Sequence, residues 1–249
     1  MGKIIVFYGA DHKSGCTMIC QCFSEMLLQK MPELRLILIH AEGKGGCDYS
    51  PGTRVDMDGL FPYLEKESLD FSELAEKSLW RRNFGIIGGS SLPGAFEDFH
   101  PGMMDFLLDG LSGHFDLIVA SCGADIQNGL SLGAMMNAEE RFLVMAPKES
   151  AVRRYEAARG LFSQLDVDFD KLILNRFGSR SIFTPAYLSG RLGLGKDSFL
   201  VVRDSKFGDV CEMDEKSLLN YRDSYFRRDI SFLCAKISKC CGLEELSHG

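Results

Sequence analysis

The chain predicts an α/β fold: a mainly parallel sheet with helices on both faces. Short apolar runs alternate with stretches of helical spacing along its length. The runs are nearly all apolar rather than alternating, as expected of strands covered on both sides. No repeat of roughly 20–50 residues is visible, and no low-complexity tract or linker interrupts the pattern. Residues 1–249 are therefore expected to form one domain.

The elements follow in order. Lys3–Tyr8 (KIIVFY) is a β-branched and aromatic run that predicts a strand, followed by a turn over Gly9–Gly15. Thr17–Lys30 predicts a helix with Ile19, Phe23, Met26 and Leu27 on one face, and Pro32 ends it. Leu34–His40 predicts a second buried strand, and Glu42–Gly59, rich in Gly and Asp, the longest loop. Helices are expected over Leu60–Glu67 and Phe71–Leu79, and a short strand over Phe84–Ile87. Pro101–Leu111 predicts a helix with Pro at its start. Strand Phe115–Ala120, helix Ile126–Asn137, strand Arg141–Ala146 and helix Ala151–Leu165 come next. Strands Lys171–Leu174 and Phe199–Val202, with helices Pro185–Leu192 and Ser224–Ser238, complete the pattern.

Composition excludes several classes. Hydrophobic residues make up 45% and the net charge is −7, which rules out a disordered chain. The acidic balance argues against dedicated nucleic-acid binding. Arg153, Arg154 and Arg159, and Arg227 with Arg228, read as solvated helix faces. No apolar run approaches the ~18 residues of a membrane span. Met1 to Tyr8 passes straight into a strand pattern without a leader-like segment, so a cytoplasmic protein is expected. Nine cysteines, none spaced C-x-x-C, are then expected to be reduced and mostly to pack as small hydrophobes.

In an open α/β sheet, ligands bind beyond the carboxyl ends of the strands. The first strand–helix loop runs Gly9-Ala10-Asp11-His12-Lys13-Ser14-Gly15-Cys16-Thr17. A phosphate-binding loop has the form G-x-x-x-x-G-K-S/T, with backbone N–H groups and a helix N-terminus holding phosphate. Aligning Gly15-Cys16-Thr17 to G-K-T puts Gly and Thr in place but Ala10 in the first Gly slot and Cys16 in the Lys slot. A thiol cannot replace a cation that bridges phosphates.

Along its length the chain resembles the ParA/MinD group of deviant-Walker-A P-loop ATPases. Where the family has K-G-G-x-G-K-T-T, this sequence has Asp11-His12-Lys13-Ser14-Gly15-Cys16-Thr17-Met18. His40-Ala41-Glu42 stands in the place of D-x-D. Phe84–Gly89 is similar to a family strand, and Phe115–Ala124 to the Walker B segment. Phe142–Glu149 resembles the next strand and turn. Leu172-Ile173-Leu174-Asn175-Arg176 resembles the strand end at the nucleotide base, and Val201-Val202 with Asp204 resembles "I-P-x-D". Order and spacing over most of residues 1–240 carry the likeness.

The resemblance implies a P-loop NTPase architecture and an ATP or ADP site with Mg²⁺. Its nucleotide-binding residues would be Gly9, Lys13, Ser14, Gly15, Cys16, Thr17, Met18, Asn175 and Arg176, with Thr17 toward Mg²⁺. It also implies a homodimer. Three charged positions of the family are altered: the Walker A Lys is Cys16, the signature Lys that reaches the partner's nucleotide is Asp11, and the Walker B acid is Ser121. The first Asp of D-x-D is His40, which leaves Glu42 as the catalytic or metal-side carboxylate. Phosphoryl transfer depends on such charges, so efficient ATP hydrolysis is not expected.

The leading reading is a binding, scaffolding or localisation factor. It would serve a protein partner in a localisation or secretion/pilus machine, reaching a membrane or cell pole through that partner. TadZ/CpaE-type pilus proteins are the nearest functional analogy. The alternatives are a slow Mg-dependent ATPase acting as a dimerisation switch, with Lys13 or Lys44 and Glu42 as substitutes, and a metal- or redox-linked accessory protein. The last would use Cys16, Cys47 and Cys122 with His12 and His40. The Cys240–Cys241 pair is expected to pack, and the acidic tail lacks the pattern of a membrane-targeting helix.

Overall fold

The computed structural model describes residues 2–42, 49–91 and 97–243. Lys44 and Cys47, named above, lie outside the described residues. The strands are β1 (Lys3–Gly9), β2 (Leu36–His40), β3 (Leu79–Arg81), β4 (Phe84–Ile87), β5 (Leu117–Ser121), β6 (Glu140–Met145), β7 (Lys171–Phe177) and β8 (Phe199–Arg203). The helices are α1 (Cys16–Lys30), α2 (Met57–Leu64), α3 (Phe71–Lys77), α4 (Pro101–Leu111), α5 (Gly129–Asn137), α6 (Glu149–Gln164), α7 (Pro185–Leu192), α8 (Gly208–Met213) and α9 (Ser224–Cys240).

The strands form one sheet in the order β3-β4-β2-β5-β1-β6-β7-β8. All pairings are parallel except β3 with β4. The expected α/β architecture is therefore present. Burial on both faces follows from the strand composition: β2 (LILIH) and β5 (LIVAS) are buried at every position. Along β1, Ile5 and Phe7 join the core under α1 and α9, while Val6 and Tyr8 join the core under α4, α5 and α6. This is the period-two alternation of a strand with two covered faces. Phe7 is wedged between Phe23 and Phe142, with ring centroids 5.4 and 5.2 Å away.

Several boundaries differ from the sequence reading. The helix expected over Phe71–Leu79 stops at Lys77, and Leu79 begins the antiparallel edge strand β3. Helix α2 starts at Met57, inside the expected loop, because the Asp56 side chain accepts from Gly59 N–H at 2.8 Å and caps it. Helix α5 starts at Gly129, three residues late, where Asn128 caps it. Helix α8 had no counterpart in the reading.

At the β3 edge, the Trp80 indole donates to the Pro51 carbonyl at 3.2 Å. Its ring meets Phe84 edge-on, and the Arg81 guanidinium lies 3.9 Å from its centroid. Among the described residues, no helix is long and apolar enough to cross a membrane.

Central β1 lies between β5 and β6, and its chain leaves through α1 on one face while β6 leaves through α6 on the other. The C-terminal ends of β1, β2, β5 and β7 thus converge on a crevice at this switch point.

Candidate functional site

The loop after β1 is built by two left-handed residues, Lys13 (φ 62) and Gly15 (φ 81). Gly15 suits its position twice over: a side chain there would be strained, and a Cβ would overlap the amide of Asn175. Gly9 is needed for close approach, since a Cβ would meet the Gly123 carbonyl oxygen at 2.8 Å. From the end of β7, Asn175 Nδ2 donates to the Ser14 carbonyl at 2.9 Å, with both residues buried. The Asn that the resemblance places at the nucleotide base therefore ties β7 to the loop.

Beneath the loop, Cys16 opens α1. It is 4% exposed, and its Sγ donates to the Phe7 carbonyl at 3.3 Å. Ser121 stands opposite Phe7 and His40 in strand register. Its Oγ lies 4.0 Å from Cys16 Sγ, a long donor contact. Cys16 and Ser121, where the resemblance expects a lysine and an aspartate, thus lie against each other. Burial pushes the Cys20 thiol well above its usual range, and its contact with Cys16 adds to this. Burial does the same to Cys122.

At the rim, Thr17 Oγ1 donates to Glu42 Oε1 at 2.9 Å, and His40 Nδ1 lies 3.7 Å from the same oxygen. His40 is 1% exposed, and neither ring nitrogen has a hydrogen-bond partner among the described residues. Asp11 turns onto α6: Ser150 Oγ donates to it at 3.0 Å, and the Arg154 guanidinium lies 3.6 Å away. Arg154 also donates to the Ala124 carbonyl, and Arg159 donates to the Leu192 carbonyl. The arginine face read from the sequence is exposed at all three positions, and two of its members also bond neighbouring backbone. Arg227 and Arg228 are both exposed, and Arg227 also donates to the Leu219 carbonyl at 2.6 Å.

Two adjoining clefts open here. One, of about 330 Å³, is lined by Asp11, His12, Lys13, Ser14, Gly15, Cys16, Thr17, Met18 and Glu42, with Arg176, Asp209 and Glu212. The other, of about 450 Å³, shares Gly15, Met18, Tyr49, Arg176, Asp209 and Glu212 with it and extends past Asn175 to Arg203 and Lys206. Except for Gly9, which supports the loop from behind, the residues expected at a nucleotide site line these clefts. The reading missed Tyr49, Arg203, Lys206, Asp209 and Glu212. The last two sit on α8, a helix of six residues that leaves no periodic signal. In the first cleft the carboxylates of Asp11, Glu42, Asp209 and Glu212 outnumber the cations Lys13 and Arg176.

Among the described residues no group of three or more His, Cys, Asp or Glu side chains is placed to hold a metal. Cys16, Cys122, His12 and His40 thus do not assemble the metal centre of the third reading; Cys47 lies outside the described residues. Of the C-terminal pair, Cys241 packs inside and Cys240 is exposed, which corrects the expectation that both pack.

No family model matches this sequence, and no curated protein matches it. Solved structures do. A ParA family ATPase from Chlorobium tepidum is 17% identical over 94% of this chain and 99% of its own, with a TM-score of 0.81. The cell division ATPase MinD of Pyrococcus furiosus is 17% identical over 96% and 100%, with a TM-score of 0.76. MinD of Pyrococcus horikoshii, complexed with Mg-ADP, is 17% identical over 98% of both chains, with a TM-score of 0.70. The fold is that of the ParA/MinD P-loop ATPases.

Proposed function

We propose that this chain, with a fold shared with the ParA/MinD ATPases, is one degenerate P-loop domain that works by binding rather than by ATP turnover. The observation that carries the reading is the neutral contact of Cys16 with Ser121 under the loop. In phosphoryl transfer, cations and Mg²⁺ neutralise charge that develops on the transferred group. A single preorganised stabilising donor is worth on the order of 10²–10³ in rate. Here the lysine and aspartate positions have both become uncharged, and the first cleft is lined by more carboxylates than cations.

The remaining donors fit a nucleotide in part. The left-handed turn at Gly15 presents the start of α1 to an anion, as a phosphate loop does. Thr17 Oγ1 and Glu42 Oε1, 2.9 Å apart, are hard oxygen donors of the kind Mg²⁺ takes. Arg176 lies where the two clefts meet. Bound ATP or ADP with Mg²⁺ would act as a conformational ligand. We further propose that the protein forms a homodimer and scaffolds a protein partner of a localisation or secretion/pilus machine, reaching a membrane or cell pole through it.

Calorimetric titration of the reduced protein with Mg-ATP, followed by a phosphate-release assay, tests this. Saturable binding without turnover is the expected result. The second reading, a slow ATPase that switches a dimer, draws on Lys13, which lines the same cleft as Glu42. Mg-dependent phosphate release abolished by Lys13→Ala would establish it and overturn the first.

A further inference from the structure

The end of β7 is irregular in a way that bears on the loop. In a regular strand, successive side chains point to opposite faces of the sheet. Asn175 and Arg176 do not: a Cβ built on Gly15 would overlap the Asn175 amide and lie 3.7 Å from Arg176 Nε. Two consecutive residues thus reach the same glycine. The pairing of β7 with β8 shifts register between Leu174 and Phe177, and Arg176 has φ 55. An irregularity of this kind re-aims a side chain. A left-handed backbone is unfavourable for a residue with a Cβ, and such conformations cluster at ligand clamps.

The side chain so delivered is an open cation. Arg176 is exposed, and among the described residues no hydrogen bond or ion pair holds its guanidinium. Arg154, Arg191 and Arg203 differ, each being held by a carbonyl or a carboxylate. Asp209 and Glu212 line the same two clefts as Arg176, yet neither pairs with it. Lys13 lines the first cleft alone, whereas Arg176 lines both. A guanidinium offers parallel N–H donors that match phosphate oxygens, and it can also stack on an aromatic base. Its place beside the loop glycine favours the first use.

We propose that Arg176 is the phosphate anchor of this site. It takes the phosphate chain of the nucleotide beside Gly15 and supplies from β7 a charge that Cys16 does not. This rests on the reading that the clefts hold a nucleotide.

The test titrates the full chain, in magnesium buffer, with ATP, inorganic tripolyphosphate and adenosine. Arg176→Gly should weaken ATP and tripolyphosphate roughly 10–100-fold, the range of a charged hydrogen bond, and leave adenosine unchanged. Arg176→Lys, which keeps the charge without the fork, should fall between. Arg180→Gly, an exposed arginine outside both clefts, should match the parent. Glycine takes the left-handed backbone freely, so Arg176→Gly should melt no lower than the parent by circular dichroism. Unchanged ATP affinity, a loss shared equally by adenosine (a guanidinium stacked on the base), or an equal loss in Arg180→Gly overturns the proposal and leaves the nucleotide reading standing. A lower Tm with equal loss of all three ligands makes Arg176 structural and also overturns it. Tripolyphosphate bound through Arg176 with ATP excluded keeps the anchor and overturns the nucleotide reading. No saturable binding of ATP or tripolyphosphate overturns both.

Discussion

Replacing Gly15 with alanine tests the geometry of the loop directly. Gly15 sits at φ 81, ψ 25, and a left-handed conformation costs a residue with a Cβ about 1–2 kcal/mol. The new methyl also displaces the Asn175 amide from the Ser14 carbonyl. Asn175 is 5% exposed, and a buried amide without its partner costs about 1–3 kcal/mol. The lower entropy of an unfolded alanine returns about 0.4–1 kcal/mol. The net loss centres near about 3 kcal/mol, with extremes of about 1 and 4.5, and at the centre Tm falls by roughly 6–12 °C for a chain of this size.

Gly52→Ala is the matching control. Gly52 has φ 83 and nothing within 4 Å of its Cβ, so it carries only the backbone cost. Urea melts followed by circular dichroism compare the two. Equal losses at both positions would refute the Asn175 contact as an energetic tie. A Gly15→Ala variant within about 0.5 kcal/mol of the parent would refute the loop geometry itself.

Other expectations follow from the same contacts. Cys16→Lys alone gains little Mg-ATP affinity, and Cys16→Lys with Ser121→Asp gains more than the two single changes together; calorimetry showing the full gain in the single lysine variant would remove the case for the pair. Burial pushes the Cys234 thiol up to about 12 and holds Cys20 and Cys122 well above the usual range. Alkylation at about pH 8, read by peptide mass spectrometry, should therefore mark exposed Cys240 well before any of these three. Equal rates would sink the assignment. Hydrogen bonds from Arg191, and next from Arg153, hold the Glu149 carboxyl at about 2, against an ordinary value of 4.5. A depressed carboxylate stabilises the fold above its ordinary value and loses that contribution as pH falls through about 2. Arg191→Ala should therefore flatten acid unfolding in that window, and an unchanged acid profile would contradict the tie between α6 and α7.

How much the sequence revealed depended on the range of the interactions. Phe84–Ile87 and Pro101–Leu111 match their expected bounds because local signals suffice: a four-residue apolar run before two glycines, and Pro at a helix start. The edge strand β3 was hidden because Leu79-Trp80-Arg81 continues the helical spacing of α3. What makes it a strand is pairing with β4, which no local pattern records. The order of charged and small residues after β1 located the clefts, but not the state of the side chains. Asn175 meets Ser14 across 161 residues, and Asp11 meets Ser150 across 139. The family resemblance, and no spacing, put Asn175 at a base and Asp11 in the place of a lysine that reaches outward. Folding turns both toward their own chain.

The tryptophan on the edge strand makes the molecule its own optical probe. Trp80 is the chain's single tryptophan, so intrinsic emission comes from one place. Its indole is bonded to Pro51, two residues beyond Tyr49, which lines both clefts. A ligand that reseats Tyr49 acts on the indole through this short stretch of chain and shifts its emission without any label. The same placement biases an unfolding curve read by fluorescence. It follows a three-residue border strand, which opens ahead of the central sheet, so emission should change before the helical signal is lost.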